Sequence, residues 1–376
     1  MTSSSENGSS ETSAVRRAKK LPSLAATAAG VLAGFLVMNL LVAAFLLFSP
    51  GNRDDPVLGD IPNSGPQVFG TEGYSISQVN SLGMRGAEIS PSETGARVLF
   101  VGDSYTQALQ VSESETFVSR VGQLLSQQTT PAVECVNAGR PGANCADYLA
   151  LASAYTARVR PTYVVVQLDE GSFVTATRRP ARGWWLKPEP NGWAIQREYP
   201  TTGAAELGRA LLAKLPLPYL LWERTKAAAV QDGSSPDGGA QQAAAAPAAG
   251  KRADPTLSGA MDPALIDWAV GRLAESYGPN LTILYLPTSI RYDRGSTTSP
   301  SPTEEEVARA CQRHSVDIVN PRPQMEAEFT STGQPLSGFA NTQPGTGHLN
   351  AEGDRIVAEV LAEHLKSRRV AMAVAR

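Results

Sequence analysis

The chain has 376 residues, of which 18% are charged and 42% hydrophobic, and a formal charge of -3. This length allows one good-sized domain with additions, and the nearly balanced charge gives no footing for a nucleic-acid partner. With three cysteines and three histidines, no metal constellation forms, since Cys311 and His314 lack further ligands at a useful spacing, and no cofactor is expected.

Residues 1–20 read as a disordered cytoplasmic tail, the first fifteen being rich in Ser, Thr, Glu and Gly. Arg16, Arg17, Lys19 and Lys20 precede an uncharged run over residues 21–48, with Asn39 its most polar member. As a helix, Leu24 to Phe48 would be about 37 Å long, against about 30 Å of hydrocarbon. A cleaved signal peptide has a shorter apolar region, about 7–15 residues. The run therefore reads as a retained transmembrane anchor, and the basic cluster places the N-terminus in the cytoplasm and the rest outside. Residues 49–77, rich in Gly, Pro and Asp, read as a linker.

A globular domain is expected over residues 78–370. Val98 to Gly102 is an apolar run too short for a helix, closing on Gly102-Asp103-Ser104. A buried strand followed by such a turn is how an open α/β sheet presents a side chain above its carboxyl edge. Ser112-x-x-Glu115 is a capping-box signal for a helix with Phe117, Val121, Leu124 and Leu125 on one face. A strand at Ala132 to Val136 leads to the turn Asn137-Ala138-Gly139-Arg140-Pro141-Gly142. A helix around Ala146 to Arg158 leads to the β-branched strand Thr162 to Leu168. Strands alternating with helices argue for a parallel, doubly wound sheet.

The rhythm breaks over residues 172–260, an insertion that holds Trp184, Trp185, Trp193 and Trp222 with Tyr199 and Tyr219. Residues 231–255 are of low complexity, rich in Ala, Gly, Pro and Gln. The insertion leaves the active edge of the sheet, so its aromatic faces either roof a sugar-binding pocket or pack a small core of their own. A helix at Pro263 to Tyr277, a strand at Leu281 to Tyr285, a helix near the Thr303-x-x-Glu306 box and a strand at Val316 to Val319 resume the alternation. His348-Leu349-Asn350 then enters a last helix with Ile356, Val357, Val360, Leu361 and Leu365 at helical spacing. His314 and His364 fall on helices as packing or surface residues, which leaves His348 in a loop, free to meet another loop. Cys135 and Cys145 flank one short loop and either form a bridge or remain buried thiols, with Cys311 the odd one.

Val98 to Thr106 (VLFVGDSYT), Asn137 to Gly142 (NAGRPG) and His348 to Gly353 (HLNAEG), preceded by Asn80 to Arg85 (NSLGMR), resemble the SGNH/GDSL hydrolase family over roughly residues 78 to 366. The resemblance implies a flavodoxin-like doubly wound sheet, with Ser104 as nucleophile and His348 as base. It also implies an oxyanion hole built from the amides of Ser104 and Gly142. Two family residues are missing. Gly171 stands in the slot of the oxyanion-hole asparagine, for which Asn144 is a candidate substitute. Gly345 stands where an aspartate three residues before the histidine is usual. Asp169 and Glu170, after the third strand, are the nearest alternative carboxylates but read as loop residues facing water. A Ser104–His348 dyad is what remains. The expectation is a membrane-anchored, extracytoplasmic esterase acting on O-acyl groups, chiefly acetyl, of an envelope carbohydrate, with acyl transfer between sugars a close variant. The alternative is an impaired SGNH-like domain that binds a glycan or an envelope protein.

Overall fold

The computed structural model describes residues 24–45, 51–91, 95–127, 132–180, 182–199, 261–287 and 299–368. The tail, the low-complexity stretch, Trp222 and Tyr219 lie outside them. Helix α1 (Leu24–Phe45) has 22 residues, about 33 Å at 1.5 Å per residue. Its apolar side chains, Val31, Leu36 and Leu40 among them, are exposed, and it is long and apolar enough to cross a membrane.

The segment expected as a linker is instead structured. Strands β1 (Asn52–Asp55) and β2 (Gly59–Pro62) form one antiparallel hairpin, and β3 (Gly65–Phe69) and β4 (Ser75–Val79) a second. The reason it escaped notice is visible in β4. Ser75, Ser77 and Val79 point inward and Ile76 and Gln78 outward, so the period of two is present but its inward face is mostly polar. Both hairpins are fastened to the domain. Leu58 and Ile61 enter its core, Arg158 makes a bidentate pair with Asp55 at 2.7 and 3.0 Å, and Arg140 donates to the carbonyls of Leu58 and Asp60.

Five parallel strands form the central sheet: β5 (Arg97–Gly102), β6 (Glu134–Gly139), β7 (Tyr163–Leu168), and, after a hairpin of β8 (Gly183–Glu189) and β9 (Gly192–Glu198), β10 (Leu281–Tyr285) and β11 (Asp317–Val319). Their spatial order is β6-β5-β7-β10-β11, the doubly wound order in which the chain reverses direction across the sheet between β5 and β7. Alternation along the strands divides the core. Leu99, Val101, Val164, Val166 and Ile283 face α4 (Cys145–Val159), α6 (Pro263–Tyr277) and α7 (Pro302–Arg313). Val98, Phe100, Val165 and Leu284 face α3 (Phe117–Ser126) and α9 (Ala351–Ser367). Two four- and five-residue helices, α2 (Ser104–Gln107) and α5 (Glu170–Val174), open the loops at the carboxyl ends of β5 and β7.

Some boundaries shift for identifiable reasons. Helix α7 is capped by Ser301, whose Oγ accepts from Glu304 N at 3.2 Å, two residues before the Thr303 box. Helix α8 (Arg322–Thr332) begins between two prolines, which suit a helix start but read as breakers in the sequence. The three cysteines are free thiols. Cys135 lies near the start of β6 and Cys145 at the N-terminus of α4, beyond that strand's far end. In the β8–β9 hairpin, Trp184 and Trp193 pack against the core on the α4 and α6 side, with the Trp193 ring 5.6 Å from that of Trp268. Trp185 donates Nε1–H to Glu198. Trp184 and Trp193 thus pack, but on the core of the domain rather than on one of the insertion's own.

Candidate active site

Ser104 opens α2 immediately beyond β5. Its helix is capped by Asp103, whose Oδ1 accepts from Tyr105 N at 2.8 Å, and closed by Ala108 in the left-handed region at φ 52°. Such a conformation is costly for alanine, and Arg85 holds it. The buried Arg85 guanidinium donates to the carbonyls of Gln107, Ala108 and Val111. Burial pulls the Arg85 pKa down to about 10. The NSLGMR stretch thus fixes the far end of the turn that presents the serine.

The β6 turn is seated against the same helix. Asn137 Nδ2 donates to Thr106 O at 2.8 Å, and Arg140 N donates to Gly102 O at 3.0 Å. A Cβ on Gly139 would overlap Gln107 N, so only glycine permits this approach. Gly142 follows at φ 70°. Among the described residues, neither the Ser104 nor the Gly142 amide N–H has an acceptor. Asn144 is buried as the cap of α4, with Oδ1 accepting from Ala146 N at 2.8 Å. Its Nδ2 donates to no described group.

His348 arrives from the opposite end of the chain on a loop pinned by Asn350. The Asn350 side chain caps α9 through Glu352 N and Gly353 N and donates to Pro335 O. His348 is 3% exposed. Its Nε2 is 2.8 Å from Ser104 Oγ. Tyr105 covers the ring at 4.9 Å between centroids, and its hydroxyl donates to Gly347 O at 3.3 Å.

The other imidazole nitrogen is where sequence and structure part. Nδ1 lies 2.5 Å from Glu72 Oε2, and the backbone N–H of His348 donates to Glu72 Oε1 at 2.8 Å. Glu72 sits in the turn between β3 and β4, inside the segment read as a linker. Both its oxygens are taken by one residue. Gly345, in the usual acid slot, carries no side chain, and a Cβ at Gly347 would overlap Glu72 Oε1. The loop before the histidine is therefore stripped of side chains where the distant carboxylate enters. The sequence signal for Glu72 was slight: a carboxylate in a Gly70-Thr71-Glu72-Gly73 turn between two short runs of alternating residues.

Asp169 and Glu170 do not serve in its place, and Asp169 does not face water. It is buried as the cap of α5, with Oδ1 accepting from Ser172 N at 2.7 Å and Ser172 Oγ at 2.9 Å. Burial raises the Asp169 carboxyl, and burial together with the Asp169 charge pushes the neighbouring Asp103 well up. The two carboxyls thus face one another where the loops after β5 and β7 meet. Gly171, within α5, places no side chain at the site. Among the described residues, no group of three or more His, Cys, Asp or Glu side chains could hold a metal ion.

This geometry can move a proton from a serine hydroxyl to an imidazole whose other nitrogen is held by a carboxylate. No protein-family model matches the chain, and no curated protein matches it in sequence. Several solved structures are similar to it. A lipase/acylhydrolase from Enterococcus faecalis has 12% identity and a TM-score of 0.40, over 73% of this chain and 96% of that one. A member of the lipolytic G-D-S-L family from Veillonella parvula has 10% identity and a TM-score of 0.37, over 72% and 98%. A catalytic mutant of an acetylxylan esterase from Geobacillus stearothermophilus has 14% identity and a TM-score of 0.35, over 72% and 94%. The fold of the present chain is α/β, a doubly wound parallel sheet, with the motif-bearing loops at its carboxyl edge.

Proposed function

We propose that this chain is a membrane-anchored, extracytoplasmic serine esterase that removes or transfers O-acyl groups, chiefly acetyl, on an envelope carbohydrate. One observation carries the reading: Ser104 Oγ, His348 and Glu72 stand in line at 2.8 and 2.5 Å above the switch point of the sheet. A turn serine and a packing histidine have no structural need of a carboxylate drawn from 276 residues away.

In this reading the expected dyad becomes a triad. Glu72 accepts the Nδ1 proton and so leaves Nε2 bare towards the serine. His348 takes the Ser104 proton as Oγ bonds to the ester carbonyl carbon, and Glu72 stabilises the imidazolium that forms. The oxyanion is met by the amides of Ser104 and Gly142, with Asn144 Nδ2 the third donor in place of the side chain that Gly171 lacks. One such donor is worth roughly 10²–10³ in rate. Collapse breaks the bond to the leaving alkoxide, which receives the proton from His348. Water, or a sugar hydroxyl in the transfer variant, then gives its proton to His348 and attacks the acyl-enzyme, restoring Ser104. Helix α1 is the anchor, oriented by Arg16, Arg17, Lys19 and Lys20 with the N-terminus in the cytoplasm. No cofactor is required.

Gly171 is the one feature that favours the second reading, a domain that binds glycan without turning it over. The test is acetate release from an acetylated polysaccharide by the full chain in detergent, beside Ser104→Ala and His348→Ala. Release by the parent alone supports the esterase. Binding of the polysaccharide by all three, with no release, supports the second reading.

A further inference from the structure

Glu72 is on a hairpin tip, a poor place from which to hold an acid within hydrogen-bond distance of its partner. An aspartate three residues before the histidine would be aligned by the histidine's own loop. Here the acid belongs to another element, and something must seat it. The loop that carries His348 supplies a side chain in the right place. Asn341 Oδ1 accepts from Gly73 N at 2.8 Å, and Asn341 Nδ2 donates to Gly73 O at 3.2 Å and to Gly70 O at 3.3 Å. Its carboxamide thus closes on the backbone at both flanks of Glu72 and uses both polar atoms to do so.

The loop that holds Asn341 is itself tied down. Gly338 N donates to His348 O at 3.0 Å, Gly345 N to Ser337 O at 2.8 Å, and Thr342 N to Phe339 O at 3.0 Å. Phe339 N donates to Thr342 Oγ1 at 2.9 Å. Asn341 is exposed and belongs to neither hydrophobic core, so its replacement leaves the apolar packing untouched. We propose that Asn341 is the positioning residue that seats Glu72 on His348. One loop then carries the base directly and grips the acid's turn at second hand, which restores the alignment that Gly345 cannot give. The inference deepens the triad reading and rests on it for its effect on turnover. The contact itself can be tested without substrate.

The experiment uses the full chain in detergent and compares the parent with Asn341→Ala and Glu72→Gln. A histidine N–H donated to a carboxylate at 2.5 Å should give a proton resonance far downfield of the amide envelope, and Glu72→Gln should abolish it. Asn341→Ala should broaden or remove that resonance. It should also lower kcat on p-nitrophenyl acetate by about 10- to 100-fold, the scale of a small misplacement in a catalytic constellation, with KM nearly unchanged and Tm within a few degrees. A resonance and kcat that survive Asn341→Ala would overturn the proposal, as would a parent with no such resonance. Should the alanine variant unfold, Asn341→Asp, which keeps the acceptor for Gly73 N–H, carries the same readouts. It should lie between parent and Glu72→Gln, and parental values would overturn the proposal. A parent that shows the resonance but hydrolyses no ester would count against the esterase reading alone.

Discussion

Glu72→Gln is the substitution on which the proposed chemistry depends most closely. Both Glu72 oxygens accept from His348, one from Nδ1 at 2.5 Å and one from the backbone N–H at 2.8 Å. A glutamine offers one oxygen and one NH₂. If its oxygen stays on the backbone N–H, the NH₂ faces Nδ1, which must then accept. The ring proton moves to Nε2, 2.8 Å from Ser104 Oγ, and the base is lost. If the amide turns over, the NH₂ meets a backbone N–H at hydrogen-bond distance, donor against donor. Either way the variant is penalised without any change of shape. Imposing the wrong tautomer on a serine hydrolase costs about 10⁴ in kcat, or about 5.5 kcal/mol of transition-state stabilisation. Glu72→Ala removes the charge without imposing a tautomer and should retain at least as much activity. Steady-state hydrolysis of p-nitrophenyl acetate by the three proteins, corrected for background, measures this. A loss of less than about tenfold in Glu72→Gln would refute the reasoning.

Further expectations follow from single contacts. Gly347→Ala places a Cβ on Glu72 Oε1 at a residue with φ 76°, so kcat should fall by about 10² or more with only a modest change in Tm; parental activity would contradict the placement of Glu72. Arg85→Ala should destabilise the domain by about 3–5 kcal/mol in denaturant unfolding, because three buried carbonyls lose their donor; a loss under about 1 kcal/mol would show that water replaces it. Asp354 is buried, with Oδ1 accepting from Phe117 N at 2.9 Å and Oδ2 without a partner among the described residues. Burial pushes its pKa up to about 8. A carboxyl raised on folding binds its proton more tightly in the native state, so its stabilisation is complete below the unfolded value of about 3.9 and is lost as pH rises through about 8. The parent should therefore lose stability across this window by up to about 1.4 kcal/mol per pH unit from this group, and Asp354→Asn should flatten that slope. Equal slopes would remove Asp354 as its cause.

The strands β5, β7 and β10, the helices α4, α6 and α9, and the pairing of Ser104 with His348 were legible because each announces itself locally. An apolar run closing on a turn, a 3.6-residue period and a loop histidine before an asparagine cap need no knowledge of distant residues. Glu72 could not be found that way. Its hairpin hides its inward face behind Ser75 and Ser77, and its partner lies at the other end of the chain. The absence of an acid at Gly345 was legible, but its replacement was not, since nothing in the local sequence ties residue 72 to residue 348. Asp169 was misjudged for a similar reason. A carboxylate after a strand reads as a solvated loop residue until its cap on Ser172 and its contact with Asp103 are known. The tryptophans of the β8–β9 hairpin show the limit of composition: an aromatic cluster announces burial or binding alike, and only the packing of Trp193 on Trp268 decides.

The measurement that bears most directly on the account is labelling of the full chain with a fluorophosphonate, with the adduct located by mass spectrometry and its rate followed in the parent, Glu72→Gln, His348→Ala and Ser104→Ala. The account predicts a single adduct on Ser104 in the parent, formed far more slowly in the Glu72 and His348 variants and not at all in Ser104→Ala. A folded parent that takes up no label, or that takes it up on another serine, would contradict it.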